Sequence, residues 1–406
     1  MTTAVHPRRA FTIAGSASLA LTYILLWSIM IKTPAQRTGS DFIGFYTFGR
    51  IAQTQGFENI YDLKSQQEVE QAVVGFPVVP EFYTHVPFIT PLAALIVDPN
   101  YINSFVRWAI VLLILNAASS ALLVHAWHKS DLKREEVLTL FTGIFLFFPT
   151  FSAFMNGQDD AILLLGLALW LWGLFSARPL LAGVGLSLTA VRPQTALFLA
   201  IPFLFKQRKV FWGFAMGGAI LGLISWALVK TDGMIGFFNS LQYIESTIWI
   251  QPHTLDMPTL SGIIRRNFKV IEVAPARDLV WGCYLAGMIG FCLIWHKSPE
   301  ILEKQIGLLA LCSILLVPYA HYHDLVILLV PILCLIRILS GRRIVEAGPL
   351  ATIPLIVSLI ALAGFAGPGY LKFPLIYCVM LSLGSLLLYP PAIPWIRGLR
   401  KGGTDV

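Results

Sequence analysis

Apolar runs of about twenty residues recur along this chain, and they leave few folds open to it. The first, Phe11 to Ile31, is long enough to cross a bilayer, whose hydrocarbon core takes roughly 20 residues of helix. A segment inside lipid must satisfy its own backbone hydrogen bonds, so such runs are read as helices. Spans are expected at 11–31, 103–127, 137–154, 160–176, 179–191, 194–205, 210–229, 277–295, 304–319, 324–339, 349–366 and 372–389. Only 13% of the residues are charged, about half the fraction usual in a soluble domain. The expected fold is an all-α polytopic membrane protein, a single domain over 1–406 with about 10–12 transmembrane helices. Arg8 and Arg9 precede the first span, which exceeds a signal peptide's apolar region of about 7–15 residues, and "KTPAQR" is a poor cleavage site. It is read as a retained signal-anchor.

The formal net charge of +7 is not spread evenly. With the N-terminus inside and every span crossing, the cytoplasmic pieces hold 17 Lys and Arg against seven Asp and Glu. The rest of the chain holds 12 against 15. A net +10 inside and −3 elsewhere obeys the positive-inside rule in this orientation and breaks it in the other. The basic surplus thus faces anionic lipid rather than nucleic acid. The tail "RGLRKGGTDV" is read as cytoplasmic, and the five cysteines, all in apolar runs without a CxxC pair, as small buried hydrophobes.

Two segments on the outer side are long, 32–102 and 230–276. In the first, "GFENIYDLKSQQEVEQA" suits a surface helix with Ile60, Leu63 and Val69 on its apolar side. "VPFITPLAALIV", interrupted by Pro87 and Pro91, is too short to span and is read as interfacial or re-entrant. Spans 179–191 and 194–205 meet at Pro193 as a broken pair facing a cavity. Gly213, Gly217, Gly218 and Gly222 supply the small residues of a close helix contact.

Polar residues gather at the outer ends of the spans. Asp41 is followed by Tyr46 and Arg50; "NGQDD" runs from Asn156 through Gln158 to Asp160; Arg192 lies in "AVRPQT"; and "PYAHYHD" holds His321, His323 and Asp324. A fifth group, "TLSGIIRRN", carries Ser261, Arg265 and Arg266. Each has a structural alternative. Asp41 and the paired aspartates suit helix N-caps, Arg192 can snorkel, and the histidines suit an interface. The histidine pair with Asp324 has metal-ligand character, but spacing fixes no third ligand, so neither metal nor cofactor is expected. The functional case is convergence: an acid, amides, a cation and histidines on one face, where ionisable groups at membrane depth lean toward function.

The segments "SDFIGFYTFGR…GFENIYD", "NGQ", "GVGLSLTAVRPQTAL" and "VPYAHYHD" resemble, in that order, the glycosyltransferases of family 87, polytopic enzymes of the GT-C class. The family includes mannosyltransferases that use polyprenyl-phosphate mannose. The resemblance implies a GT-C-like bundle and a hexosyltransferase, mannose favoured over a pentose. Its partners would be a polyprenyl-phosphate-linked sugar donor, a lipid or glycan acceptor and membrane lipids. It implies a plasma (inner) membrane location with the site on the extracytoplasmic side. It places Asp41 as the base of an inverting transfer. Arg192, His323 and His321 are then expected at the donor phosphate, and Tyr46, Arg50, Asn156, Gln158, Asp160 and Arg265 around the substrates. The rivals are a flippase for a lipid-linked sugar, which should show an inverted repeat, and a ligase moving a whole glycan.

Overall fold

The computed structural model describes residues 7–76, 85–127, 133–246, 255–268, 273–298, 303–341, 347–367 and 369–389. All their regular elements are helices. Among them six are long and apolar enough to cross a membrane: Arg9–Lys32, Tyr101–Ala126, Arg208–Gln242, Pro275–Lys297, His323–Ser340 and Leu371–Leu388. The pair Arg134–Phe145 and Phe148–Asn156, bent by 40°, has the length and composition of a broken span or a re-entrant loop, and counted as one span brings the number to seven. The protein is therefore an all-α, multi-pass membrane protein. The tail 397–406 and parts of both long outer segments lie outside the described residues.

The other five expected spans are shorter helices: Asp160–Phe175, Pro179–Val191, Pro193–Leu204, Ile353–Ala366 and Glu303–Leu316. A 14-residue helix covers about 21 Å, short of the roughly 30 Å hydrocarbon core. Such pieces need protein neighbours, and ten residues of Asp160–Phe175 are buried. The bend in the 137–154 span comes from Pro149, which starts a new helix after Phe147.

Burial sorts the helices into centre and rim. His323–Ser340 is 83% buried over its most apolar window, whereas Arg9–Lys32 is 17% buried. On the rim, Leu21, Ile24, Leu223, Trp226, Leu293 and Leu381 are exposed, as a lipid-facing surface requires. The buried core gathers aromatic rings beside the future site, with Phe42, Phe45, Phe105 and Trp108 fully enclosed.

The glycine contact forms, with two of its four members. Gly213 abuts the backbone at Leu180 and Gly183, and Gly217 abuts Ser187, so Arg208–Ser246 lies directly on Pro179–Ser187. Gly218 and Gly222 have open space beside them, because i+4 spacing keeps only one pair on a shared face. The surface helix also forms, as Leu63–Val74, capped by Asp62 at Ser65 N (2.8 Å). Its enclosed positions are Gln66 and Glu70, while Leu63 and Val69 are half-buried. Gln66 donates to the Ile60 carbonyl at 2.7 Å. The second outer segment begins as helix rather than loop. Arg208–Ser246 continues through a break at Lys230, whose ammonium reaches Glu58 of the first outer segment at 3.1 Å.

Ion pairs respect the charge-derived sides. Arg9 meets Glu135 at 4.0 Å and Arg337 meets Glu303 at 2.8 Å, all four assigned to the cytoplasm. Lys230–Glu58 and Lys372–Asp256, 3.1 Å each, join residues assigned to the opposite side. With the five cysteines replaced by serine, a membrane-impermeant maleimide is expected to label exposed Lys64→Cys in intact cells. Exposed Glu135→Cys should react only after permeabilisation. The reverse pattern inverts the molecule.

Candidate active site

Proline chemistry puts Arg192 at the centre. Pro193 opens the helix Pro193–Ala200, and the residue before a proline is driven out of the α region. Arg192 accordingly sits extended, at φ −125° and ψ 82°, between the 3₁₀ turn Leu188–Val191 and that helix. Its side chain is only 11% exposed, which removes the snorkelling reading. Nε donates to Asp324 Oδ1 at 2.7 Å and Nη1 to Asp159 Oδ1 at 2.8 Å. Nη2 donates to Gln158 Oε1 at 3.3 Å and Asp160 Oδ2 at 3.4 Å.

The "NGQDD" turn supplies three of those partners. Gly157 closes Phe148–Asn156 in the left-handed region, φ 76°, and presses against Phe42, so glycine suits it on both counts. Trp108 Nε1 donates to the Gly157 carbonyl at 2.7 Å, and the Phe42 and Phe105 rings stack with centroids 4.7 Å apart. Asp159 occupies the N-cap position of Asp160–Phe175 without a side-chain capping bond. Its carboxylate goes to Arg192 and to His85 Nδ1, 3.2 Å away. Burial alone would raise the Asp159 carboxyl, but Arg192 and His85 outweigh it and hold it at about 2.

Asp41 has the N-cap position of Phe42–Thr54 but again makes no side-chain cap bond. Its Oδ2 accepts instead from Gln158 Nε2 at 2.7 Å. The Gln158 amide thus points its donor at a carboxylate and its acceptor at a guanidinium, a pairing that fixes its orientation. Asp159, Asp160 and Asp324 are buried; Asp41 is half-buried and is the most open carboxylate of the network.

The last strand of the network is a turn folded on itself. Asp324 Oδ2 accepts from His321 N at 2.6 Å, leaving Oδ1 to Arg192. His323 is buried, its Nε2 lying 3.7 Å from Asp324 and 3.9 Å from Asp160. Half-buried His321 has its ring 5.5 Å from that of His323. Asp160, His323 and Asp324 present potential metal-ligand atoms all within 4.8 Å of one another.

The fold therefore joins Asp41, Gln158, Asp160, Arg192 and His323 in one network, with His321 held at its edge. Among the described residues it leaves Tyr46, Arg50, Asn156 and Arg265 outside those bonds. Tyr46 donates to the Pro99 carbonyl at 3.2 Å; Arg50 bonds Gln53, which ties to the Ala94 and Val97 carbonyls. Asn156 ends its helix, and Arg265 lies on Leu260–Asn267 beside Arg266, which fastens the Leu255 and Met257 carbonyls and Tyr377. Sequence reasoning passed over His85. Its only signal was a histidine just before Pro87, in a segment read for its apolar residues alone.

A family model for glycosyltransferase family 87 matches residues 83–318, more than half of the 406 residues. The matched stretch includes His85, Gln158, Asp159, Asp160 and Arg192; Asp41, His323 and Asp324 lie outside it and are bound to it by the contacts above. No curated protein and no solved structure matches the chain.

Arg192→Gln is expected to lower stability by about 3–5 kcal/mol, because it strips the cation from buried carboxylates. Arg192→Lys should recover part of that, since an ammonium lacks the fork that reaches three acids. Thermal unfolding in nanodiscs measures both. Gly157→Ala is expected to cost about 1–2 kcal/mol from its left-handed backbone alone, with a further loss from the contact with Phe42.

Proposed function

The chain belongs to glycosyltransferase family 87, and from that premise we propose that it moves a hexose, mannose favoured, from a polyprenyl-phosphate donor to a lipid or glycan hydroxyl. The observation that carries the reading is the state of Asp41. Its carboxylate is not spent on capping its helix, is half-buried, and is oriented by Gln158 beside a charged network in a membrane protein. A sugar hydroxyl is a weak nucleophile, and a placed carboxylate that takes its proton during attack lowers the barrier.

In this proposal the acceptor oxygen attacks the anomeric carbon from the Asp41 side. Asp41 receives the hydroxyl proton. The bond from the anomeric carbon to the phosphate oxygen breaks, its electron pair leaves with the polyprenyl phosphate, and the configuration inverts. Negative charge grows on that phosphate, so donors and cations must meet it. We assign that role to Arg192, helped by His323 and His321, whose rings lie 5.5 Å apart. In the ligand-free geometry the guanidinium is committed to Asp324, Asp159, Asp160 and Gln158. A phosphate reaches it only by exchange with one of these. Tyr46, Arg50, Asn156 and Arg265 remain proposed substrate contacts of the surrounding surface. The charge asymmetry supports an extracytoplasmic site at the plasma membrane, where both lipid-linked substrates meet.

Asp41→Asn is expected to cut transfer of labelled sugar from a polyprenyl-phosphate donor about 10²–10⁴-fold. Thermal stability should stay near wild type, because the asparagine oxygen still accepts from Gln158 and no cap is lost. Near-normal turnover removes Asp41 from the role of base. The mass added to the acceptor separates this activity from a glycan ligase, and transfer itself separates it from a flippase.

A further inference from the structure

The buried acids of the network outnumber its one fixed cation. Asp159, Asp160 and Asp324 all contact the single guanidinium of Arg192, and two of the three are fully enclosed, with Asp324 nearly so. With all three acids ionised and the neighbouring histidines neutral the group would carry three negative charges against one positive, a net −2, and one proton shared between Asp160 and Asp324 would leave −1. Asp41 adds a further negative charge through Gln158. Uncompensated charge in a low-dielectric interior is expensive, and buried charges are paired or bind metals.

A second, independent observation shows where the deficit lies. Asp160 is fully buried, and its Oδ1 has no hydrogen-bond partner among the described residues. Its other oxygen is the one facing Arg192. A carboxylate accepts only, so neither Asp324 nor another acid can satisfy Oδ1 without a cation or a proton between them. His323 Nε2 lies 3.9 Å from the same carboxylate's Oδ2, and a neutral imidazole nitrogen can ligate a metal.

We propose that Asp160, His323 and Asp324 bind one divalent cation. Two atoms each about 2.1 Å from an ion lie no more than about 4.2 Å apart. His323 Nε2 stands 3.9 Å from Asp160 Oδ2 and 3.7 Å from Asp324 Oδ2, inside that limit. Two carboxylates and one imidazole are a donor set for Mn²⁺, Mg²⁺ or Zn²⁺ rather than for a soft ion. A charge of +2 together with Arg192 balances three ionised carboxylates. Three protein ligands leave positions open, as in catalytic metal sites. Resting on the transferase reading, those positions take oxygens of the donor phosphate, which an uncompensated −2 would repel. The cation then stabilises the leaving phosphate as a Lewis acid.

The test is Mn²⁺ binding by electron paramagnetic resonance, on purified full-length protein in nanodiscs after chelator treatment and with no sugar donor or acceptor present. One site per chain is expected, competed by Mg²⁺ or Zn²⁺. Pulsed spectra of the wild type should show ¹⁴N modulation from a bound imidazole, a readout that needs no variant to fold. Asp160→Asn and His323→Gln should weaken binding at least about tenfold, while Asp41→Asn leaves it intact. Two results overturn the proposal. One is absence of Mn²⁺ binding together with an Asp160→Asn protein that melts at or above wild type. The new amide would then donate to Asp324, and a shared proton is what joins the two acids. The other is Mn²⁺ bound without the ¹⁴N signal and equally by both variants, which places the ion elsewhere. Because no donor is present, failure of the sugar-transfer reading shows separately, as a bound ion without transfer.

Discussion

One guanidinium holding three buried carboxylates is the contact around which this end of the helix bundle is organised. The acids come from two places far apart in sequence, the "NGQDD" turn and the turn before the central helix, and Arg192 comes from a third. Each of these segments buries a charge that costs free energy unless it is paired. The desolvation cost of each acid falls only when the others and the arginine are in place, so the ends of at least four helices are fixed together or not at all. Planarity matters here. A guanidinium offers donors on three edges of one plane, and Asp324, Asp159 and Asp160 take one nitrogen each.

The polar network sits where the helices break. Gly157, Pro193 and the turn after Pro318 each interrupt an apolar helical stretch. An interruption frees backbone polar groups, which is tolerated in a membrane only where protein or a polar cavity receives them. Here the network receives them. His321 N is bonded to Asp324 and the Gly157 carbonyl to Trp108. The same breaks set side chains free of helical geometry. Arg192 turns inward because it precedes a proline, and Asp41 and Asp159 stand at helix starts without being consumed as caps. Aromatic packing then fixes the distance between the two acidic segments, through Phe42 against Gly157 and Phe105.

Asp41 differs from its fellow acids in one respect that suits it to work on a substrate. It is linked to the cluster by an amide rather than by the guanidinium itself, and it is half-buried where the others are enclosed. A carboxylate clamped by a cation is a poor proton acceptor. One held by a single amide keeps lone pairs open to a further donor while keeping its place.

Much of this was legible without coordinates. Period and length of the apolar runs fixed the helices, because lipid allows no other backbone solution. Charge asymmetry sorted the loops into two sides, and ion pairs such as Arg9–Glu135 and Lys230–Glu58 respect that sorting. Pro193 announced the break that carries Arg192, since its effect on the preceding residue is local. Local chemistry could not decide between equivalent roles. Asp41 and Asp159 read equally well as caps or as functional acids, and only their tertiary partners, Gln158 and Arg192, removed the first reading. Tyr46 and Arg50 lie on the same short helix that follows Asp41, yet packing turned them toward Pro99 and Gln53. His85 was invisible because one histidine in an apolar stretch carries no pattern. The third member of the Asp160, His323 and Asp324 group was likewise absent from spacing, since Asp160 is more than 160 residues from the other two. Sequence alone determined which segments are helical and which ends are charged, because those follow from solvent and nearest neighbours. The meeting of three acids on one arginine was decided by tertiary structure, because it depends on distances between segments that no local rule contains.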